Sequence, residues 1–146
     1  MSNRGLLDVK TLTGTTDGDS FYEFVNVNLL PHLQPFNGRN IHSVVIMDNC
    51  SVHHISEVTK AIRDVGSLLI FLPPYSLDFN SIEELFSKVK LNLKASLQTP
   101  DELTLVGSEM DQVDLQSIIL MAFSSITVDD CVGWISCTGI YSQNDY

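Results

Sequence analysis

Two kinds of hydrophobic pattern alternate along the chain. Short apolar runs, each bounded by glycine, proline or polar turn residues, occur at Gly5–Leu12, Ser43–Met47 and Leu68–Leu72. Runs of this length predict β-strands. The second and third runs, SVVIM and LLIFL, are aliphatic at nearly every position, which is typical of strands buried on both faces of a parallel sheet.

Elsewhere, apolar residues recur at the three- and four-residue spacing of amphipathic helices. The first helix is predicted to begin near Ser20, with Asp17 or Asp19 as its N-cap. Gly66 follows the second helix as the left-handed residue that ends it. Strands that alternate with helices predict an α/β layer fold with a mainly parallel core. The later predicted helices cover Ser56–Val65, Ser81–Leu97 and Asp111–Phe123, with a short terminal turn or helix from Thr127.

Composition narrows the class of protein. The 146 residues are 44% hydrophobic and 18% charged, which suits one domain over residues 1–146 with a buried core. No apolar run approaches the roughly 20 residues that span a bilayer, so no membrane partner is expected. Three cysteines without a framework spacing predict reduced thiols inside a cell.

The net charge of −10 is unevenly distributed. All eight Lys and Arg residues lie at or before Lys94, whereas eight of the 18 acids follow it. Nucleic-acid binding usually needs a basic face that neutralises phosphates. The pattern therefore argues against tight DNA binding by the isolated chain, although a DNA channel within a larger assembly is compatible with it.

Two acids stand where α/β folds place their chemistry. Asp48 directly follows SVVIM, and functional groups of open α/β sheets lie beyond the carboxyl ends of strands. Glu83 and Glu84 open the helix after a Pro-Pro loop. The structural alternatives are a cap or turn role for Asp48 and a helix-dipole role for the glutamates. As a pair, Asp48 and Glu83 suit a shared hard cation such as Mg²⁺, and two such ions support phosphodiester chemistry.

The segments around these acids resemble the DDE endonuclease domain of Tc1/mariner-type transposases. The resemblance rests on VVIMDNCSVHH at 44–54 and LLIFLPPYSLDFNSIEELFSKVK at 68–90. Between Asp48 and Glu83 lie 34 residues, a spacing typical of the Tc1-like members. Further positions in register with the family pattern are PPYS, Asp78, Asn80 and Ile82.

The resemblance extends over nearly the whole chain and has two local departures. Segments 5–33 and 131–135 also match the family pattern. Leu77 and Ser81 stand where the family usually has prolines. Because proline would fix φ at those positions, their replacement loosens the loop that positions Glu83.

The resemblance implies an RNase H-like mixed sheet flanked by helices, with three carboxylates that hold two Mg²⁺ ions. Asp48 matches the second carboxylate and Glu83 the third. The first is expected upstream of Gly5, so that the first two strands and the N-terminal DNA-binding region are missing and Gly5–Leu12 is the third strand. Asp8, in the middle of that run, is expected to be a solvent-facing strand residue and not a substitute.

Loss of the first strand is also expected to weaken the fold. SVVIM would then have an unpaired edge, and such edges favour aggregation. We expect a marginal or assembly-dependent fold, which strong hydrogen-exchange protection throughout Leu6–Leu12 in the isolated chain would contradict.

Three residues after Asp48 invite a metal-site interpretation. Cys50 and His53 form a C-x-x-H pair, joined by His54, but no second pair with zinc-site spacing follows. The resemblance instead places His53 near the metal-binding acids, where it lies close to substrate or caps a helix.

Two further residues are expected near the substrate. Asn80 lies in the matched loop before Glu83, and Lys88 belongs to a cluster with Lys90 and Lys94. That cluster forms either a phosphate-contacting edge or a solvated helix face. Trp134 is predicted to be a packing anchor.

The resemblance implies a truncated Tc1-type transposase domain that acts on DNA with Mg²⁺ in the nucleus. With two of three metal ligands matched, the isolated chain is expected to be inactive. One alternative is a non-catalytic module that pairs with a full-length transposase or with itself; another is a fragment without an independent role.

Overall fold

The computed structural model describes residues 1–96 and 112–139. Backbone contacts divide the chain into two compact units, and each is described by itself. The sheet unit comprises Lys10–Asn80 with Ser2, and the helical unit comprises Met1, Asn3–Val9 and Ser81–Tyr146. The single domain over residues 1–146 stays a prediction.

The sheet unit opens with helix α1, Gly18–Phe24, close to its predicted start. Asp17 is the N-cap: its side chain accepts the Ser20 N–H, and the Ser20 hydroxyl accepts the Asp17 N–H. This capping box satisfies donors that the first helical turn leaves without partners. The helix continues into a π-helical turn, Val25–Leu29, and a 3₁₀ turn, Leu30–His32.

Strands β1, Val44–Met47, and β2, Leu68–Phe71, form a parallel pair. Their residues pair one to one, so both strands end at the same edge of the sheet. Helix α2, Ser56–Asp64, lies in the crossover that parallel strands require. The predicted strand–helix–strand order is confirmed, and the molecule is a mixed α/β structure with a small parallel sheet.

Gly66 ends α2 as predicted and turns the chain into β2. Its φ of 86° lies in the left-handed region. The Gly66 N–H donates to the Arg63 carbonyl (2.8 Å) and the Ser67 N–H to the Ile62 carbonyl (3.3 Å), which are the two bonds of a Schellman motif. A Cβ here would also meet Pro35 at 3.2 Å, so both backbone and space favour glycine.

The core of the sheet unit lies on one face of the sheet. Val45 of β1 packs there with buried side chains of the π-helical turn and α2: Val25, Val58 and Ile62. On the opposite face, four aliphatic side chains are each 39–42% exposed: Val44, Ile46, Leu68 and Ile70. The prediction that these strands are buried on both faces is therefore wrong in this structure, because the helices of the unit cover one face only.

The strand predicted at Gly5–Leu12 is not formed. Ser2 and Gly5 make isolated bridges, Leu6–Leu12 has no regular structure, and the sheet of the described residues contains only β1 and β2. A strand exists only where a neighbouring strand accepts and donates its backbone hydrogen bonds, and none lies beside this run in the described residues. Its correspondence to the family's third strand stays a prediction. Asp8 is an exposed coil residue that accepts the Val9 N–H at 2.7 Å.

The helical unit is built around α3 and α4, whose core residues are Leu85, Val89 and Ala122. Trp134 packs against this cluster, which confirms its predicted role. Phe86 of α3 is 43% exposed. The helices of the described part of this unit are α3, Ile82–Ser96; α4, Gln112–Ser124; and α5, Val128–Cys137.

The ends of these helices follow local signals. Thr127 caps α5 through a capping box with Asp130, which confirms that the last helix opens at Thr127. The predicted helix ends at Leu97 and Asp111 lie outside the described residues.

Among the described residues, no single helix has both the length and the apolar character to cross a membrane. Leu115–Ser124 and Val128–Cys137 reach these criteria only when joined, and the chain bends by 73° between them.

The one-sided core predicts a difference between two isoleucines of the sheet unit. Ile62 is fully buried, so Ile62→Ala should lower the free energy of unfolding by about 2–5 kcal/mol through lost burial and a cavity. Ile70→Ala is the matched control and should cost less than half as much, because Ile70 is 42% exposed. Hydrogen exchange of the β1 and β2 amides measures both losses. Equal losses would contradict a core on one face.

Candidate active site

Asp48 is the first residue beyond β1, as the sequence predicts. Strand pairing reaches up to it, because the Leu72 N–H donates to the carbonyl of Met47 at 2.8 Å. The Asp48 side chain is 44% exposed, so its carboxylate is accessible at the carboxyl edge of the sheet. The position suits a functional group of an α/β fold.

The loop after β1 holds one oxygen of this carboxylate. Oδ1 accepts the Cys50 N–H at 3.0 Å and lies 2.6 Å from Nδ1 of His53. Among the described residues, no hydrogen bond or ion pair uses Oδ2. Asp48 therefore stabilises the turn after β1 through Oδ1, and its Oδ2 remains available to a ligand.

His53 lies in a 3₁₀ turn, Ser51–His54, and its ring faces Asp48. Nδ1 also lies 3.4 Å from the Asp48 carbonyl oxygen. The predicted alternative of a helix-capping histidine is wrong for α2, whose N-cap residue, Ile55, makes no side-chain cap. The ring packs against Phe21 of α1, with centroids 4.7 Å apart.

His54 makes a parallel contact one residue further along. Its Nε2 lies 2.7 Å from the Oδ1 of Asn49, and its ring stacks on Phe71 with centroids 4.2 Å apart. Two adjacent histidines therefore each bond the residue five positions earlier. These contacts fix the loop that carries Asp48.

Asp48 offers one carboxylate oxygen, the ligand type that hard divalent cations prefer. Nδ1 of His53 is directed at the same carboxylate. Asp48 alone is one ligand. Across residues 1–96 and 112–139, no three His, Cys, Asp or Glu side chains lie close enough to hold a metal ion.

Glu83 lies in the first turn of α3, in the helical unit, beside Glu84. Both side chains are exposed, and both carry negative charge where the helix dipole favours it. Because Asp48 belongs to the sheet unit, the meeting of the two carboxylates stays a prediction. Asn80, the last residue of the sheet unit, is half-buried after the 3₁₀ turn Leu77–Phe79.

Lys88 forms an ion pair inside the helical unit. Its Nζ lies 2.6 Å from Oδ2 of Asp130, which also accepts the Thr127 N–H in the cap of α5. The pKa of Asp130 is lowered to about 2. The largest cause is the hydrogen bond from Lys88, and the bonds from Thr127 add to it. Lys90 and Lys94 are exposed, as on a solvated helix face. A substrate contact by Lys88 stays a prediction.

Sequence reasoning missed the partners of the predicted residues. The T-x-x-D pattern at Thr127 marks a capping box, but nothing local links Asp130 to Lys88. Phe21 is one of the apolar residues at helical spacing, and that spacing does not indicate its contact with His53. Tyr75, in the PPYS loop after β2, has a φ of 61° and a fully exposed side chain, which its sequence neighbours do not indicate.

A family model described as DDE superfamily endonuclease matches residues 1–105. The chain belongs to this family. The match includes both Asp48 and Glu83, the acids chosen from the sequence. Members of the DDE superfamily generally use divalent metal ions and act on DNA, so a transposase-like nuclease function follows for the domain. No curated protein sequence matches the chain.

The lowered pKa of Asp130 predicts acid sensitivity of the helical unit. The native state binds fewer protons than the unfolded state between the folded pKa of about 2 and the ordinary value of 3.8. The bonds to the ionised Asp130 carboxylate, from Lys88 first and then from Thr127, therefore stabilise the unit fully above about pH 4, and this stabilisation is lost as the pH falls towards 2.

Denaturant unfolding between pH 5 and 2, followed by Trp134 fluorescence, checks this. We expect the midpoint of Asp130→Asn to fall less with acid than that of the unaltered chain. Asp129→Asn, which removes the neighbouring acid of the same turn, is the control. Parallel curves for Asp130→Asn and the unaltered chain would show that the bonds to Asp130 are not the source of the acid sensitivity.

Proposed function

We propose that this chain is the catalytic region of a Tc1-like DDE transposase with an RNase H-like fold. Asp48 and Glu83 are the proposed metal-holding carboxylates. The observation that carries the proposal is the Asp48 carboxylate at the end of β1, with Oδ1 held by the loop and Oδ2 available. The family match over residues 1–105 supports it.

The proposed reaction is hydrolysis of a phosphodiester at the end of a DNA element. The freed 3′-hydroxyl then attacks a phosphodiester of target DNA and displaces the 3′-oxygen of the target strand. Mg²⁺, when bound, would activate the attacking oxygen and stabilise the leaving one. The chain would contribute oxygen ligands from Asp48 and Glu83. The bonds from Cys50 and His53 to Oδ1 orient Asp48 for this task.

The charge of the chain bears on how DNA would bind. At a net charge of −10, DNA is repelled by most of the surface, because phosphate contacts require Lys and Arg. We therefore propose that DNA binds within an assembly that includes a full-length transposase or further copies of this chain. Asn80, His53 and Lys88 are proposed to lie near the substrate, and the nucleus is the proposed location.

A second candidate is a non-catalytic module that binds a full-length transposase. The exposed aliphatic face of the sheet favours it, because Val44, Ile46, Leu68 and Ile70 present a continuous apolar surface. Co-purification with an intact relative separates the two functions. A stable complex that forms equally well with Asp48→Asn would favour the module.

Paramagnetic broadening by Mn²⁺ tests whether Asp48 and Glu83 share an ion. In the ¹⁵N-labelled chain, Mn²⁺ should broaden amide signals around both residues. Asp48→Asn should reduce the broadening at both places, and so should Glu83→Gln, because each removes one ligand of the same ion. Glu84→Gln, in the same helical turn, should change neither. Two independent, separately lost broadening centres would contradict the shared site.

Nuclease activity gives a second test. Because no three metal-ligating side chains lie close together in the described residues, we expect the isolated chain with Mg²⁺ or Mn²⁺ to nick supercoiled plasmid no faster than its Asp48→Ala variant. Metal-dependent nicking that Asp48→Ala abolishes would overturn the expected inactivity and establish a working site.

A further inference from the structure

We propose that His53 is a positioning residue that fixes the orientation of the Asp48 carboxylate towards a divalent cation. This inference rests on the proposed function, in which Asp48 is a metal ligand. His53 would act on the metal site through the Asp48 carboxylate. Its basis is the contact between Nδ1 of His53 and Oδ1 of Asp48, at 2.6 Å.

The chemistry of the contact fixes which ring nitrogen carries a proton. An ionised carboxylate only accepts hydrogen bonds, so Nδ1 of His53 must be the donor. A distance of 2.6 Å is short even for a charge-assisted hydrogen bond. The same nitrogen lies 3.4 Å from the Asp48 carbonyl oxygen, so the donor faces both acceptors of one residue.

The imidazole is itself held in place. The His53 side chain is only 20% exposed, and its ring packs against Phe21 of α1. Phe21 lies one residue beyond Ser20, in the first turn that the Asp17 capping box fixes. The Nδ1 donor of His53 therefore belongs to a ring whose position is held by packing.

The consequence is a carboxylate whose two oxygens have different roles. Oδ1 is occupied by the Cys50 N–H and His53, while Oδ2 is the oxygen that a cation would reach. Hydrogen bonds to a ligating carboxylate orient it before metal binding, and loss of such partners typically weakens metal affinity by about 10- to 100-fold.

His54 provides a matched control. It is adjacent, packs on an aromatic ring as His53 does, and bonds the neighbouring Asn49 in place of Asp48. A role that merely stabilises the loop would make the two histidines equivalent. A role in orienting the carboxylate singles out His53.

The first experiment needs no metal and no variant. Long-range ¹H–¹⁵N correlation spectra of the full chain at about pH 8.5 report which imidazole nitrogens of each histidine are protonated. We expect a protonated Nδ1 at His53. An unprotonated Nδ1 would overturn the proposal whatever the function of the protein.

The second experiment measures Mn²⁺ affinity from the broadening of the Met47 and Asn49 amide signals. We expect His53→Ala to weaken the affinity by about tenfold or more, and His53→Asn to recover most of it, since the Asn amide places a donor near the Nδ1 position. His54→Ala should stay within about twofold of the unaltered chain.

The outcomes separate the two proposals. Equal affinity in His53→Ala and the unaltered chain would overturn the positioning role and leave the proposed function intact. If Mn²⁺ fails to broaden the Asp48 region of the unaltered chain, the proposed metal role of Asp48 is contradicted, and with it the positioning role.

Discussion

The parallel pairing of β1 with β2 is the interaction on which the sheet unit depends. Two four-residue strands form a marginal sheet in water. The crossover helix makes it stable enough to serve as a scaffold, because Val58 and Ile62 of α2 bury against Val45. The same pairing ends both strands at one edge, so the loop that carries Asp48 and the PPYS loop begin side by side.

The observed turn role and the proposed metal role coincide at Asp48. Its Oδ1 closes the turn after β1, a role that needs no catalysis to explain it. The contacts use one oxygen and leave the carboxylate oriented, which is what a metal ligand requires. Lys88 contrasts with it, since its ammonium pairs with an acid that already caps α5. Chemical residue type alone does not distinguish these two cases.

The exposed face of the sheet and the acidic charge point to the same conclusion about how the protein works. An apolar sheet face with four side chains about 40% exposed is a surface that usually meets another protein element. A net charge of −10 opposes contact between the isolated chain and DNA phosphates. Both features agree with the proposed function within an assembly.

Features that depend on neighbours a few residues away could be predicted from the sequence. The caps at Asp17 and Thr127 and the Schellman turn at Gly66 rest on local hydrogen bonds. Asp17 was one of two predicted N-caps, Thr127 was the predicted start of the last helix, and Gly66 was the predicted end of α2. The apolar runs of β1 and β2 were predicted from their residue types, although their pairing joins residues 24 positions apart. The family followed from short motifs around Asp48 and Glu83. Only the tertiary structure decided that Gly5–Leu12 is not a strand and that one sheet face is exposed.

Local and tertiary features differ in predictability for a physical reason. A strand and a buried face need partners elsewhere in the chain, and an aliphatic run fits a covered and an uncovered surface equally well. The ion pair of Lys88 with Asp130 joins residues 42 positions apart, and the packing of His53 on Phe21 joins different elements. Such contacts arise from the path of the backbone, which residue type and local spacing do not encode.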